Sequence, residues 1–468
     1  MGALMVQGTS SSAGKSLVTT ALARAMRRRG IDVAPFKAQN MSNNARVVDG
    51  GEIGTAQYLQ ALAAGVEPDV LMNPVLVKPE GDNRSQVVIL GKPDLALSRL
   101  PWRSRAPLLW PVIEQSLRQL QAQHDVLLLE GAGSPAETNL RETDLANMRT
   151  ATAVEARVVL VADIDRGGAF AHLYGTWAML PEGERGLIAG FILNKFRGDR
   201  ALLPPAPEHL ERLTGVRTVG VVPWLHHGLP DEDGAATASD THRRSAVVVV
   251  RYPTASNLDE FKHLEQVADV QWADRAEDLD RGDFVILPGS KHVAADLSWL
   301  VRTGIADAVK RRARAGKPVL GICGGMQMLG QRVEDKAGVD GTGAGLGLLP
   351  LRTTFTATKH TDRISTRFRA LSGPWAVLSG KPVAGYQIRH GLSTTTATVD
   401  EALPGGLGFI NGSVLGIYIH GMFEEQGILL ALFDERPRRT LDQVFDELAD
   451  AIEENVDVPY LLCQAGIR

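Results

Sequence analysis

Cysteine is almost missing from this chain: Cys323 and Cys463 are the only two in 468 residues. That excludes a disulfide framework and a cysteine-built metal site, and it fits a reducing compartment. Long apolar runs are missing as well. No stretch approaches the roughly 20 residues that a membrane-spanning helix needs. Met1-Gly2-Ala3-Leu4-Met5-Val6 runs straight into a Gly/Ser loop with no positively charged segment before that loop. The expectation is therefore a cytoplasmic chain with no leader and no membrane partner. An excess of positive charge is lacking too: the formal net charge is -4, which argues against nucleic acid as a general partner. With 44% hydrophobic and 22% charged residues, the chain is composed to bury ordinary soluble cores, and its length suits two large domains. The clearest composition break is 230–245, acidic, then Ala/Thr/Ser-rich, then Arg-containing, with no periodicity. It divides the chain into 1–229 and 246–468, joined by a linker. The sequence fixes no oligomeric state.

The first domain opens with a short apolar strand and then Gly8-Thr9-Ser10-Ser11-Ser12-Ala13-Gly14-Lys15-Ser16. The end of a P-loop pattern is met by Gly14-Lys15-Ser16, although Thr9 stands where its first glycine is expected. Leu17 to Arg29 follows as an amphipathic helix ending at Gly30. Loop amides from Gly8 and Thr9 to Gly14 would cradle phosphates, Lys15 would reach the outer ones, and Ser16 would ligate Mg2+. Val126-Leu127-Leu128-Leu129 and Val158-Val159-Leu160-Val161-Ala162 are continuously apolar, as buried parallel strands are. They carry Glu130, a second magnesium candidate, and Asp163 to the carboxyl edge of a sheet. Ile188 to Leu193 delivers Asn194 to the same edge, where it can read a nucleotide base. Gln39, Asn40, Arg166 and Arg197 are polar candidates for an anionic substrate, and Glu52 and Gln57 are expected at the same pocket. His226 and His227 read as surface residues, because adjacent histidines make a poor metal pair.

The second domain turns on Gly321-Ile322-Cys323-Gly324-Gly325-Met326-Gln327. A cysteine between glycines, after an apolar strand and before a helix, presents its sulfur on a tight turn at a helix N-terminus that favours the thiolate. Its base is expected to be His420, at the end of the apolar run Ser413 to Ile419. His390, ending Gly385 to Arg389, is the rival. Leu287-Pro288-Gly289-Ser290-Lys291 can offer amides to an oxyanion, with Gly289 and Gly324 as its candidates and Gln327 beside them. Cys463 reads as a small apolar residue, and Leu441 to Glu454 as an amphipathic helix on the outside.

This order of strand, glycine turn, strand, Cys elbow, strand and His resembles a class I glutamine amidotransferase domain. That family usually carries a Glu two positions after the His, where Met422 stands here; Glu424 and Glu425 are near but out of pattern. The first domain's loop is similar to the deviant P-loops of dethiobiotin synthetase and of the septum-positioning and partitioning ATPases. The resemblance implies an α/β fold of two open, mostly parallel sheet domains, a P-loop NTPase-like domain followed by a class I glutamine amidotransferase-like domain. A glutaminase half makes ammonia and an ATP half makes an acyl phosphate that ammonia attacks, so each accounts for the other. A regulatory P-loop ATPase with an inert second domain is the alternative, and it would not need Cys323.

Nearly the whole chain resembles the glutamine-dependent corrinoid amidases. The resemblance rests on Gln7-Gly8-Thr9-Ser10-Ser11, on Phe36 to Asn44 (Phe-Lys-Ala-Gln-Asn-Met-Ser-Asn-Asn), on Glu130-Gly131-Ala132-Gly133-Ser134-Pro135-Ala136-Glu137, on Asp163 to Gly168 and on Asn194 to Asp199. It implies ATP, Mg2+ and L-glutamine as the reactants bound. It also implies a small-molecule corrinoid substrate, adenosylcobyrinic acid a,c-diamide, amidated at its b, d, e and g carboxylates.

Overall fold

The computed structural model describes residues 2–81, 84–229 and 245–467, so the expected linker lies outside the described residues except for Ser245. The apolar runs of the first domain form a six-stranded, all-parallel sheet. Its strands lie in the order Thr218–Pro223, Ile188–Phe196, Arg157–Asp163, Gly2–Gly8, Val126–Glu130 and Val33–Phe36. Residues such as Leu4, Met5, Val6, Leu128, Leu129, Val159 and Leu160 are fully buried, because helices cover both faces. The strands end on one edge, and the register Val6↔Glu130 and Asp163↔Asn194 sets the polar ends side by side. A smaller sheet of Gln39–Met41, Val75–Gly81, Arg84–Ile89 and Lys92–Asp94 stands beside it. Gln39–Met41, within the polar stretch Phe36 to Asn44, is thus a strand.

The second domain holds a seven-stranded sheet in the order Asp269–Ala273, Ala246–Val250, Phe284–Leu287, Val319–Ile322, Val414–Ile417, Gly408–Asn411 and Asp400–Leu403. The first five strands are parallel and the last two are antiparallel. A long antiparallel pair, Leu351–Arg367 with Pro382–Thr395, belongs to a separate four-stranded sheet with Arg332–Asp335 and Gly343–Ala344. Only the stretch around Gly385 to Gly391 signals this pair in the sequence.

The last helices reverse the expectation drawn from chain order. Leu441–Asn455 begins at Thr440 with a reciprocal Thr440/Gln443 capping box and lies on the first domain's helix Lys15–Arg28. Its buried stripe of Val444, Phe445, Leu448 and Ile452 joins Leu22 and Met26 in one core, and Arg24 pairs with Asp446 at 2.7 Å. The apolar face is therefore buried in the first domain, not on the outside of the second. Cys463, read as a small apolar residue, is exposed. No helix among the described residues is long and apolar enough to cross a membrane.

The two domains meet through buried charge. Glu52 is fully buried and pairs with Lys78 at 2.6 Å and with Lys359 of the long strand pair. Burial opposes its ionisation, yet the two ammonium groups hold it down to about 2. Glu52 therefore serves the domain boundary and not the pocket expected for it, while Gln57 does reach Asn40 (3.2 Å).

Candidate functional site

The loop Thr9 to Gly14 closes over the carboxyl edge of the first sheet and feeds the helix Lys15–Arg28. Gly14 has φ +99°, a left-handed conformation, and a Cβ there would lie 2.0 Å from Asn194 Nδ2, so only glycine fits. Asn194 donates from Nδ2 to the carbonyl of Ala13 at 2.9 Å and so pins the loop. Lys195 donates to the Ser12 carbonyl at 2.8 Å and to Asp163 at 3.0 Å, which makes Asp163 an anchor for the loop through Lys195. Lys15 curls back to the carbonyls of Ser10 (3.0 Å) and Gly133 (3.2 Å).

Glu130 is fully buried at the end of its strand. One carboxylate oxygen accepts from Ser16 Oγ at 2.8 Å and from Lys37 Nζ at 2.8 Å, and the other accepts from Gln60. Ser16 and Glu130 thus bring two oxygen donors together beside the loop. Such a donor set suits Mg2+, which takes one or two protein oxygens and completes its shell with water and phosphate.

A cavity of about 470 Å3 opens in front of this loop. Gly14, Lys15, Ser16, Asn40, Arg166 and Asn194 all line it. Gly8 and Thr9 do not: Gly8 ends the strand, packed against the Lys15 side chain, and the Thr9 amide is spent on the Val161 carbonyl at 2.9 Å. Gln39 and Asp163 also stand off the wall. Arg197 stacks on Trp224 at 3.8 Å from the ring centroid, and it is Trp224 that faces the cavity. His226 and His227, read as surface residues, line the cavity too, as do Lys262 and Arg439 from beyond the linker. Thr55 Oγ1 and Gln57 Nε2 are buried without a hydrogen-bond partner at this wall or just behind it. Each costs about 1–3 kcal/mol until a polar ligand meets it, which fits a cavity built for a polar guest.

The second constellation lies at the carboxyl ends of the seven-stranded sheet. Cys323 caps the helix Gly324–Leu329 with φ 50° and ψ −104°, a strained turn that a non-glycine residue adopts only when its surroundings enforce it. Its Sγ lies 3.7 Å from the Ile388 carbonyl. His420 is almost completely buried, with Cys323 close enough to act on its charge. On its other side, His420 Nδ1 meets Glu260 Oε1 at 2.9 Å, while Glu260 Oε2 accepts from the Gly421 amide at 2.9 Å. Burial opposes a charge on the imidazole. The Glu260 carboxylate and Cys323 outweigh it and push His420 up from 6.5 to about 10.

Glu260 is thus the carboxylate that the sequence reading lacked. It sits on the short helical turn Leu258–Lys262 after the first strand of the domain, 160 residues before His420. Met422 is fully buried, Glu425 precedes the helix Gln426–Phe433, and Glu424 pairs with Arg46. His390 is turned elsewhere: its Nδ1 meets the Thr356 carbonyl at 3.1 Å, and burial, helped by Lys359 and Lys291, pushes it down to about 4. Gly289 lies against the imidazole, where a Cβ would stand 2.8 Å from His420 Cε1, and Gly289–Ser290 pairs with Ala255–Ser256. A Cβ on Gly324 would meet the Ser290 amide at 2.6 Å, so the glycine turn and the elbow share one spot. Gln327 is buried behind the elbow, in the helix Gly324–Leu329. Cys, His and Glu in this order can run nucleophilic acyl transfer.

Comparison with known proteins bears on both halves. Residues 4–228 match the family described as "CobQ/CobB/MinD/ParA nucleotide binding domain". Residues 246–428 match the "CobB/CobQ-like glutamine amidotransferase domain". The cobyric acid synthase of Polaromonas sp. (strain JS666 / ATCC BAA-500) is 51% identical over 97% of this chain and 96% of its own length. That of Variovorax paradoxus (strain S110) is 51% identical over 98% of both chains. That of Leptothrix cholodnii (strain ATCC 51168 / LMG 8142 / SP-6) is 52% identical over 97% and 95%. A P-loop half and an amidotransferase half, similar throughout to one kind of enzyme, lead to one conclusion: this chain belongs to the cobyric acid synthase family of glutamine-dependent carboxylate-amide ligases.

Proposed function

We propose that the protein amidates the b, d, e and g carboxylates of adenosylcobyrinic acid a,c-diamide, with one ATP and one glutamine used for each amide. The observation that carries the reading is the grouping of Cys323 with His420, itself hydrogen-bonded to Glu260, on the same chain as a P-loop whose cavity can hold a nucleotide. Cys323 attacks the side-chain carbonyl of glutamine, and the oxyanion is met by amides at Gly289–Ser290 and Gly324. His420, kept charged by Glu260, donates its proton to the departing ammonia. The glutamyl thioester is then hydrolysed by water, which His420 deprotonates, releasing glutamate and restoring the thiol.

In the first domain, Lys15 approaches the terminal phosphates of ATP, and Asn194 and Lys195 keep the loop in place. Ser16 and Glu130 would hold Mg2+, which supplies charge neutralisation on the phosphates. The γ-phosphoryl group passes to a substrate carboxylate, and ammonia displaces phosphate from the acyl phosphate to leave the amide. Asn40 and Arg166, which line the cavity, are candidates for holding the anionic substrate, while Arg197 stacks on Trp224 and Gln39 adjoins Asn40. Mass spectrometry of the corrinoid after incubation with glutamine and Mg-ATP tests this, since each carboxylate-to-amide conversion lowers the mass by about one unit and consumes one ATP. Stepwise conversion at b, d, e and g is expected. An unchanged corrinoid, with glutamine still hydrolysed, would overturn the substrate assignment.

A further inference from the structure

Arg46 is a cation of the first domain whose head is buried in the second. It lies on the strand Ala45–Val48, just past Asn40 to Asn44, and is 5% exposed. Its Nε donates to Asp259 Oδ2 at 3.0 Å, and Nη2 meets the same oxygen at 2.7 Å. Nη1 pairs with Glu424, and the guanidinium lies over Tyr386, 5.2 Å from the ring centroid. Each of these partners adjoins the Cys-His-Glu set. Asp259 is the chain neighbour of Glu260, and Glu424 ends the turn Met422–Glu424 that follows His420 and Gly421. The Tyr386 ring stacks on the imidazole at 5.4 Å, and the two residues exchange backbone hydrogen bonds of 3.1 and 2.8 Å. Two neutral contacts flank the arginine: the Ala45 amide donates to Asn257 Oδ1, and the Leu258 amide donates to Asn44 Oδ1, both at 3.1 Å.

We propose that Arg46 is a positioning residue for the glutaminase triad, so that Glu260 and His420 reach working geometry only when the first domain is docked. A guanidinium in this place does what a lysine cannot: its fork grips one carboxylate and reaches a second while its face covers an aromatic ring. An ion pair that merely joined the domains could touch any part of the second one. Arg46's partners in the second domain lie within four residues or one ring of the triad, while its other ring neighbour, Tyr58 at 5.7 Å from the centroid, belongs to the first domain. Asn44 and Asp259 also line the cavity before the P-loop, so one short segment borders both reaction sites. The inference rests on the reading of Cys323 and His420 as a glutaminase.

The test uses the full-length protein with Arg46→Met, Arg46→Lys and Cys323→Ala, measuring glutamate release and, separately, ATP-dependent amidation of the corrinoid driven by ammonium. Arg46→Met is expected to lower kcat for glutamine roughly 30-fold or more, since a misplacement of about 1 Å can cost 10²-fold. KM for glutamine and the ammonium-driven reaction are expected to stay within about threefold, and Arg46→Lys to recover part of kcat. Should Arg46→Met fail to fold, Asn257→Gly, which removes the neutral contact to the Ala45 amide while glycine still accepts the φ of 55° found there, is expected to give the same split at roughly three- to tenfold. Unchanged glutamine hydrolysis, or a parallel fall of both reactions, would overturn the proposal. Glutamine hydrolysis surviving in Cys323→Ala would instead sink the underlying glutaminase reading.

Discussion

Replacing Glu260 by Gln keeps the shape of the side chain and leaves an oxygen for the Gly421 amide, but it removes the charge that faces His420 Nδ1 at 2.9 Å. A hydrogen bond to a charged group is worth about 1.5–3 kcal/mol. If it is spent on holding the imidazolium that protonates ammonia, its loss corresponds to a roughly 10- to 150-fold fall in kcat for glutamine hydrolysis. The pH profile supplies a second reading. His420 is raised from 6.5 to about 10, with burial opposing the charge and Glu260 and Cys323 overcoming it. Without the Glu260 charge, the imidazolium is lost at lower pH, so the alkaline limb of glutamate release shifts to lower pH. Stability follows the same sign. The contribution of charged His420 is complete below about 6.5 and is lost as pH rises through about 10, and this window contracts in the variant. Glutamate release measured from pH 6 to 10, with ammonium-driven amidation as the control, decides the matter. A kcat within twofold of the parent and an unmoved profile would refute the role given to Glu260.

Three further outcomes are expected. Met422→Glu does not add a better orienting group, because position 422 is fully buried; it destabilises the fold by several kcal/mol, about the cost of an unpaired buried carboxylate, and a denaturant titration reads this directly. Gly14→Ala, placing a Cβ 2.0 Å from Asn194 Nδ2 at φ +99°, weakens binding of an ATP analogue at least about tenfold, while glutamate release by the second domain persists; calorimetry and a glutamate assay separate the two. Phe445→Ala opens the contact between the C-terminal helix and Lys15–Arg28 and lowers unfolding free energy by about 3–5 kcal/mol. A loss under about 1 kcal/mol would mean that the helix does not pack there in solution.

What the sequence discloses well is whatever is written in consecutive residues. Runs such as Val126 to Leu129 and Val158 to Ala162 are buried on both faces, so they read as parallel strands, and the groups at their ends follow. Cys323 is legible because the elbow needs glycine on both sides. Glu260 is not, because its partner lies 160 residues away and the turn Leu258–Lys262 resembles any polar loop. Arg46 escapes notice for the same reason, since its partners are supplied by another domain. The C-terminal helix shows its apolar stripe plainly, but a stripe does not say which core it enters, and chain order suggests the wrong one. Gly8 and Thr9 fit a phosphate-loop pattern in sequence. Register decides otherwise, because the Thr9 amide is already committed to Val161.

The account stands or falls on the transfer of nitrogen from glutamine, through Cys323, to the corrinoid. The direct measurement is incubation of the protein and its Cys323→Ala variant with amide-15N glutamine, Mg-ATP and adenosylcobyrinic acid a,c-diamide, followed by mass analysis of the corrinoid. The parent protein is expected to place 15N in each new amide; the variant is expected to place none, yet to form unlabelled amides when ammonium is supplied. Labelled product from the variant would contradict the account, and so would parent protein that amidates only with added ammonium.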